Sequence, residues 1–395
     1  MLLPRMCVRA GEQCSSRCER GIAVTKLEER WERVRAAIAL EPVDKTPLIS
    51  GAAACAATFT GVTVKEFISD PEFNVSCNIE CAEMMGEVDG LQAATSMPFG
   101  LPVIWLSRIA VPGEDIPDDE LWQVAEAELI TQDDYDVILE DGFEPWYHDF
   151  MVNKLGDPMA RLAPFAAYNA TAVQRIEAAG FPVVKDGSLL TPFEMLCGGR
   201  SLEAFLIDDI FDIPEKLLAV FKVIHEFNMA RYEARFSNPE TRPFGVWVGG
   251  WRGTPSALNP SMFETFAWPY FSDLVDLCIQ YDVVPIAHLD SCWDKGLDYF
   301  NRFPEKKVVM ALDGQTDIRA AKEIVGDRIC IMGDVPATLL AFDTPENTYD
   351  YCRALIHDIG PTGFMLCSGC DIPFNAKLEN VQMMSKACID AASGL

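Results

Sequence analysis

Apolar positions along the chain follow two periods that take turns. Leu27, Trp31, Val34 and Ile38 fall at helical spacing behind Thr25-Lys26-Leu27-Glu28, a capping-box pattern that predicts a helix start. Glu41-Pro42-Val43-Asp44-Lys45-Thr46-Pro47 ends that helix, and Leu48-Ile49-Ser50 reads as a short strand. Gly51 to Gly61 is small and apolar, suited to close approach by a ligand or another backbone, or to tight helix–strand packing. Asp70 to Gly86 is helical again, and Val88 to Ala93 is the next strand. Residues 111–160, rich in acids, Pro and aromatics, break the pattern and read as an irregular excursion rather than a second domain.

From Val183 the alternation is clear. A helix over Leu202–Phe227 precedes a strand at Phe244–Val248. A helix over Ser261–Tyr281, opening on the capping-box pattern Ser261-Met262-Phe263-Glu264, precedes the apolar run that ends at His288. Strands at Lys307–Leu312, Arg328–Met332 and Gly363–Cys367 then alternate with helices at Asp317–Val325 and Pro345–Ile359. Strand–helix alternation with short loops implies an α/β fold with a parallel sheet. At 395 residues a closed (β/α)8 TIM barrel is favoured, as a single domain over 27–392. Residues 1–24 lack periodicity and read as a disordered extension; Cys7, Cys14 and Cys18 have no fourth ligand at zinc-finger spacing. No glycine fingerprint for a dinucleotide or a P-loop follows any strand.

The chemistry gathers where the late strands stop. His288, Asp290 and Cys292 share one face of an extended chain, and imidazole, carboxylate and thiolate are all zinc ligands. Asp313, Asp334, Cys367 and Cys370 occupy the following strand ends. In a barrel the carboxyl ends of the strands meet at one face, where active sites are built. Cys367, three residues before Cys370, is expected to face the interior, and His148 to be a surface histidine.

Charge and cysteine usage narrow the partners. Sixty acidic against 32 basic residues give a net charge of −28, which disfavours nucleic acid, anionic membrane and highly anionic substrates unless a local basic pocket exists. Fourteen cysteines without a framework suggest free thiols in a reducing, cytoplasmic setting, in keeping with an anaerobic host. Cys278 and Cys388 read as small core residues. No apolar run reaches the ~18 residues needed to cross a bilayer. A homodimer is left open.

Three segments carry a family resemblance: Glu41–Pro47 after the first helix, Ile331-Met332-Gly333-Asp334-Val335-Pro336, and Ser368-Gly369-Cys370-Asp371-Ile372-Pro373 followed by Leu378-Glu379-Asn380-Val381. Together they resemble the uroporphyrinogen decarboxylase superfamily, which implies a (β/α)8 barrel and one of two chemistries. The decarboxylase branch is marked by an Arg-Gln-Ala-Gly-Arg-Tyr segment near the first strand, whereas Gly51–Gly61 contains no arginine. That branch's essential aspartate also has no counterpart in Gln92–Pro98. The other branch comprises zinc-dependent methyltransferases working with corrinoid proteins, such as methylcobamide:coenzyme M enzymes. Its zinc site resembles His-x-Cys at one strand end plus the cysteine of a Gly-Cys turn. His288 and Cys370 match two of these positions, and Asp290 stands where the pattern has cysteine, with Cys292 as the alternative third ligand.

This resemblance implies methyl transfer between a methylated substrate, or a thiol or folate acceptor, and a corrinoid. A partner protein would supply the corrinoid, since Leu355 precedes His357-Asp358-Ile359-Gly360 where the Asp-x-His-x-x-Gly signature needs aspartate. Two alternatives stay open. One is a metal-free lyase using Asp290, Asp313 and Asp334 as acid–base groups; the other is a non-catalytic barrel partner of a corrinoid protein.

Overall fold

The apolar run before His288 becomes the middle of a parallel sheet, because Val, Ile and Ala side chains there are buried on both faces. The computed structural model describes residues 25–394. The expected extension over 1–24, with Cys7, Cys14 and Cys18, lies outside the described residues. The strands are β1 (Ile49–Ser50), β2 (Gly90–Leu91), β3 (Arg108–Ala110), β4 (Gln123–Ala125), β5 (Ser188–Leu189), β6 (Gly245–Gly250), β7 (Val284–Leu289), β8 (Val309–Leu312), β9 (Cys330–Val335) and β10 (Phe364–Ser368). Strands β5 to β10 pair in sequence order as one parallel sheet, and β1 pairs in parallel with β2. Isolated parallel bridges lie outside these strand pairings, Leu48 to Leu366 of β10 and Leu91 of β2 to Val183, five residues ahead of β5.

Two apolar clusters occupy the two faces of these strands. Ile286, Val309, Ala311, Met332, Met365 and Cys367 form one cluster with Val34, Ala37 and Ile38 of the first helix (25–38). The first helix also packs Trp31, tilted, against Phe244, just ahead of β6, so it lies where the strands begin. The alternate residues, among them Val246, Ala287, Met310 and Ile331, pack in the other cluster with the surrounding helices. Arg33 and Lys45 anchor the buried Asp89 ahead of β2, at 2.5 and 2.8 Å. Among the described residues no helix is long and apolar enough to cross a membrane, and the cysteines, Cys278 and Cys388 included, are free.

Three expectations fail for local reasons. Residues 111–160 are more regular than expected: beyond the antiparallel hairpin of β3 and β4 they form helices Gln132–Asp141 and Phe143–Asp149. Their acids sit at a helix start, where Asp134 closes a capping box with Thr131, and Tyr135, Ile138, Phe143 and Trp146 carry the buried face. The helix expected over Leu202–Phe227 is interrupted: a π-helical stretch runs Phe205–Phe211, and a new helix starts at Pro214, which has no N–H to give a preceding turn. The helix expected from Ser261 is capped instead by Asn259, whose side chain accepts from the Met262 N–H, with Pro260 in the first turn.

Candidate metal centre

Strand β7 turns His288 inward by simple alternation from Ile286. Asp290 follows just beyond the strand, where its N–H still donates to Gly250 O at 3.1 Å, and so keeps the same face. The chain then turns sharply: Ser291 has φ of 66°, and its N–H donates to Asp313 Oδ2 at 2.8 Å. Cys292 therefore leaves in another direction and lies beside Asp294.

Cys370 comes from the turn after β10. Ser368 Oγ donates to the Cys370 carbonyl at 2.5 Å, and Gln92 Nε2 donates to Cys367 Sγ at 3.0 Å. The turn is wedged between backbones: a side chain on Gly51 would collide with Ser368 Oγ, and one on Gly369 would reach within 2.5 Å of the Asp313 carbonyl. Glycine is required at both places by proximity.

These two strand ends bring His288, Asp290 and Cys370 together, with one donor atom from each within 4.8 Å of the others. His288 Nε2 stands 3.4 Å from Asp290 Oδ1. The His288 ring stacks flat on Trp247, with centroids 4.2 Å apart and planes within 1°, and Lys185 Nζ lies 3.9 Å from the centre of the Trp247 ring. Burial, and then the Lys185 charge, lower His288 to about 4, so the imidazole is neutral and has a lone pair to give. Burial and the neighbouring Asp313, Glu194 and Asp371 raise Asp290 to about 7. Burial, Asp371 and Asp290 raise the Cys370 thiol to about 12. Cys370 is exposed to solvent, although protein groups crowd around its thiol. A nitrogen, an oxygen and a sulfur donor converge where nearby carboxylates repel one another, so the residues fit a divalent cation such as zinc.

The other candidate residues are placed elsewhere. Asp313 accepts from Ser291 N–H and from both the backbone and the side chain of Gln315, which fixes two turns. Asp334 is buried and accepts the Tyr351 hydroxyl at 2.8 Å, from the helix Pro345–Asp358. Cys367 is buried on the inner face, as expected, and His148 is exposed. Four residues escaped the sequence reading. Trp247 and Lys185 back His288, and Asp371 adds a carboxylate beside Cys370. Glu194 is fully enclosed and accepts from the N–H groups of Trp251, Arg252 and Gly253 at 2.9 to 3.1 Å, locking the segment after β6. Strand alternation alone would have pointed Trp247 to the same side as His288; nothing in the sequence marks Glu194.

A parallel α/β sheet whose strand ends converge on a His, an Asp and a Cys defines the class of protein. Residues 251–390 match the family model for uroporphyrinogen decarboxylase (URO-D), and this stretch contains all three converging residues. A solved structure, a methyltransferase from Methanosarcina mazei, superposes with a TM-score of 0.67 at 17% identity, covering 91% of this chain and 98% of that one. The resemblance to the uroporphyrinogen decarboxylase superfamily therefore holds in sequence over 251–390, and most of the chain shares its fold with that methyltransferase. No curated protein sequence matches the chain.

Proposed function

We propose that the chain is a zinc-dependent methyltransferase that exchanges a methyl group with a corrinoid carried by a separate protein. One observation carries the reading: His288, Asp290 and Cys370 offer three donors within 4.8 Å at the ends of β7 and β10. The likeness in fold to a protein described as a methyltransferase supports it. We take the two isolated parallel bridges as the seams of a closed eight-stranded barrel over 27–392, which would gather these strand ends at one mouth.

In this reading His288 binds as a neutral imidazole, held flat by Trp247. Asp290 supplies a carboxylate in the family's thiolate position, and Cys370 loses its proton on binding, so metal uptake releases protons. Zinc bound there would supply Lewis acidity, lowering the pKa of a thiol or similar methyl acceptor. Three protein ligands leave a position for that acceptor. Glu194 fixes the segment after β6, and the Trp251 ring in it meets Trp105 edge-on at 5.7 Å.

The lyase reading has less support. Of its three acids, Asp313 is engaged in turn hydrogen bonds and Asp334 is engaged by Tyr351. The deciding experiment is metal analysis of anaerobically purified protein, followed by methyl transfer to free cob(I)alamin. About one zinc per chain, lost with the activity in Cys370→Ala, is the expected result; protein with neither zinc nor methyl transfer would return the choice to the lyase or the non-catalytic partner.

A further inference from the structure

A cavity of about 580 Å³ opens beside Lys185, within the size range of small-molecule sites. Its walls are mostly apolar, with Ala93, Met97, Leu101, Ile104 and Phe165 among them. Three cations also line it: Lys185, Arg231 and Arg235. Arg235 is committed to Asp186 at 2.8 Å, and Asn169 donates to the same carboxylate at 3.1 Å. Lys185 is not committed. Among the described residues its ammonium has no hydrogen bond and no ion pair; it faces the Trp247 ring, and the Asp371 and Asp186 carboxylates act on it from beyond contact distance. Arg231 has only the Phe227 ring, at 5.4 Å. In a chain with 60 acids and 32 bases, two unpaired cations on one cavity are conspicuous. An enclosed charge with no hydrogen-bonded partner is costly, and burial lowers the Lys185 pKa despite the Asp371 and Asp186 charges.

We propose that this cavity is the substrate pocket and takes a small amphipathic carboxylate, its acid group on Lys185 and its body against the apolar wall. The inference rests on the reading of the His288 cluster as the reacting centre, to which Lys185 is linked through the Trp247 ring. The pocket disfavours polyanions, because only two of its cations lack an ion pair and most of the remaining lining is apolar. It excludes neutral isosteres less by shape than by leaving the ammonium unpaired. The acidic surface repels anions generally, so selectivity for a monoanion must be built locally, and Lys185 is where it is built.

Calorimetric titration of chelator-treated protein with hexanoate and benzoate, each against its neutral amide, tests this. The acids should bind about tenfold or more tighter than the amides. Lys185→Met should bring the acids down to the amide level, and Lys185→Arg should restore most of the difference. Equal binding of acid and amide by the wild type, or unchanged acid binding by Lys185→Met, overturns the proposal. Should Lys185→Met not fold, Ala166→Trp, at an exposed position on the cavity wall, should reduce acid binding about tenfold, and unchanged binding overturns the proposal. Zinc uptake by the same wild-type preparation is read separately, so a failed metal centre and a failed pocket give different results.

Discussion

The ends of β7 and β9 look alike in sequence, each an apolar run closing on an aspartate, but the protein treats the two carboxylates differently. Asp334, at the end of β9, is buried and receives the Tyr351 hydroxyl, with Arg319 acting on it from the helix layer. Asp290, beyond β7, faces His288 and Cys370 and receives no N–H or O–H donor among the described residues. A strand-end carboxylate becomes a candidate ligand when the fold leaves its lone pairs unmet beside other donors. When a helix supplies the donor, it becomes part of the scaffold.

The largest expected effect breaks the cluster that Asp290 faces. Cys370→Ala removes the only sulfur of the cluster and should abolish zinc binding in equilibrium dialysis, whereas Cys292→Ala should keep most of the metal. The reverse outcome would mean that the turn at Ser291 had been misread. A smaller loss is expected from Ser368→Ala, which frees the Cys370 turn without touching a ligand. Residues that orient ligands typically contribute about 10–100-fold in metal affinity. The lower end of that range is expected, since Gly51 and Asp313 still confine the turn.

Tyr351→Phe probes the other strand end. It strips the buried Asp334 of its donor and should destabilise the fold by about 1–3 kcal/mol while leaving zinc affinity unchanged. Its pH dependence has a definite sign. Burial raises the folded-state pKa of Asp334, and the Tyr351 hydrogen bond partly offsets that rise. A carboxyl with a raised folded pKa holds its proton more tightly when folded, so its contribution to stability falls as pH rises from the unfolded value through the folded one. Without Tyr351 the folded pKa rises further. The destabilisation of Tyr351→Phe should therefore be small in acid and grow on raising the pH above the ordinary carboxyl range, read from denaturant midpoints. A pH-independent loss would mean that Asp334 is not the group Tyr351 serves.

Much of this difference was hidden from the sequence, for physical reasons. The alternation from Phe244 to Cys367 was readable because strands buried on both faces are apolar runs, and His288, Asp290 and Cys370 stood out where those runs stopped. The choice between Asp290 and Cys292 rests on the backbone at Ser291, whose left-handed φ no local residue announced. Tyr351 lies in a helix, and its tie to Asp334 spans 17 residues that carry no shared pattern. The helices within 111–160 were missed because acids placed to suit helix starts resemble a polar loop when only composition is read. Trp247 passed as an ordinary strand aromatic, and Lys185 as an ordinary cation, until the ring stack joined both to His288.

The central claim is a zinc centre with one sulfur. X-ray absorption at the zinc edge of anaerobically loaded protein counts sulfur and light-atom neighbours directly. The account predicts a single sulfur at about 2.3 Å, with nitrogen and oxygen neighbours near 2.0–2.2 Å completing the shell. Two sulfurs would bring Cys292 into the site in place of Asp290, and a shell without sulfur would contradict the assignment of Cys370 outright.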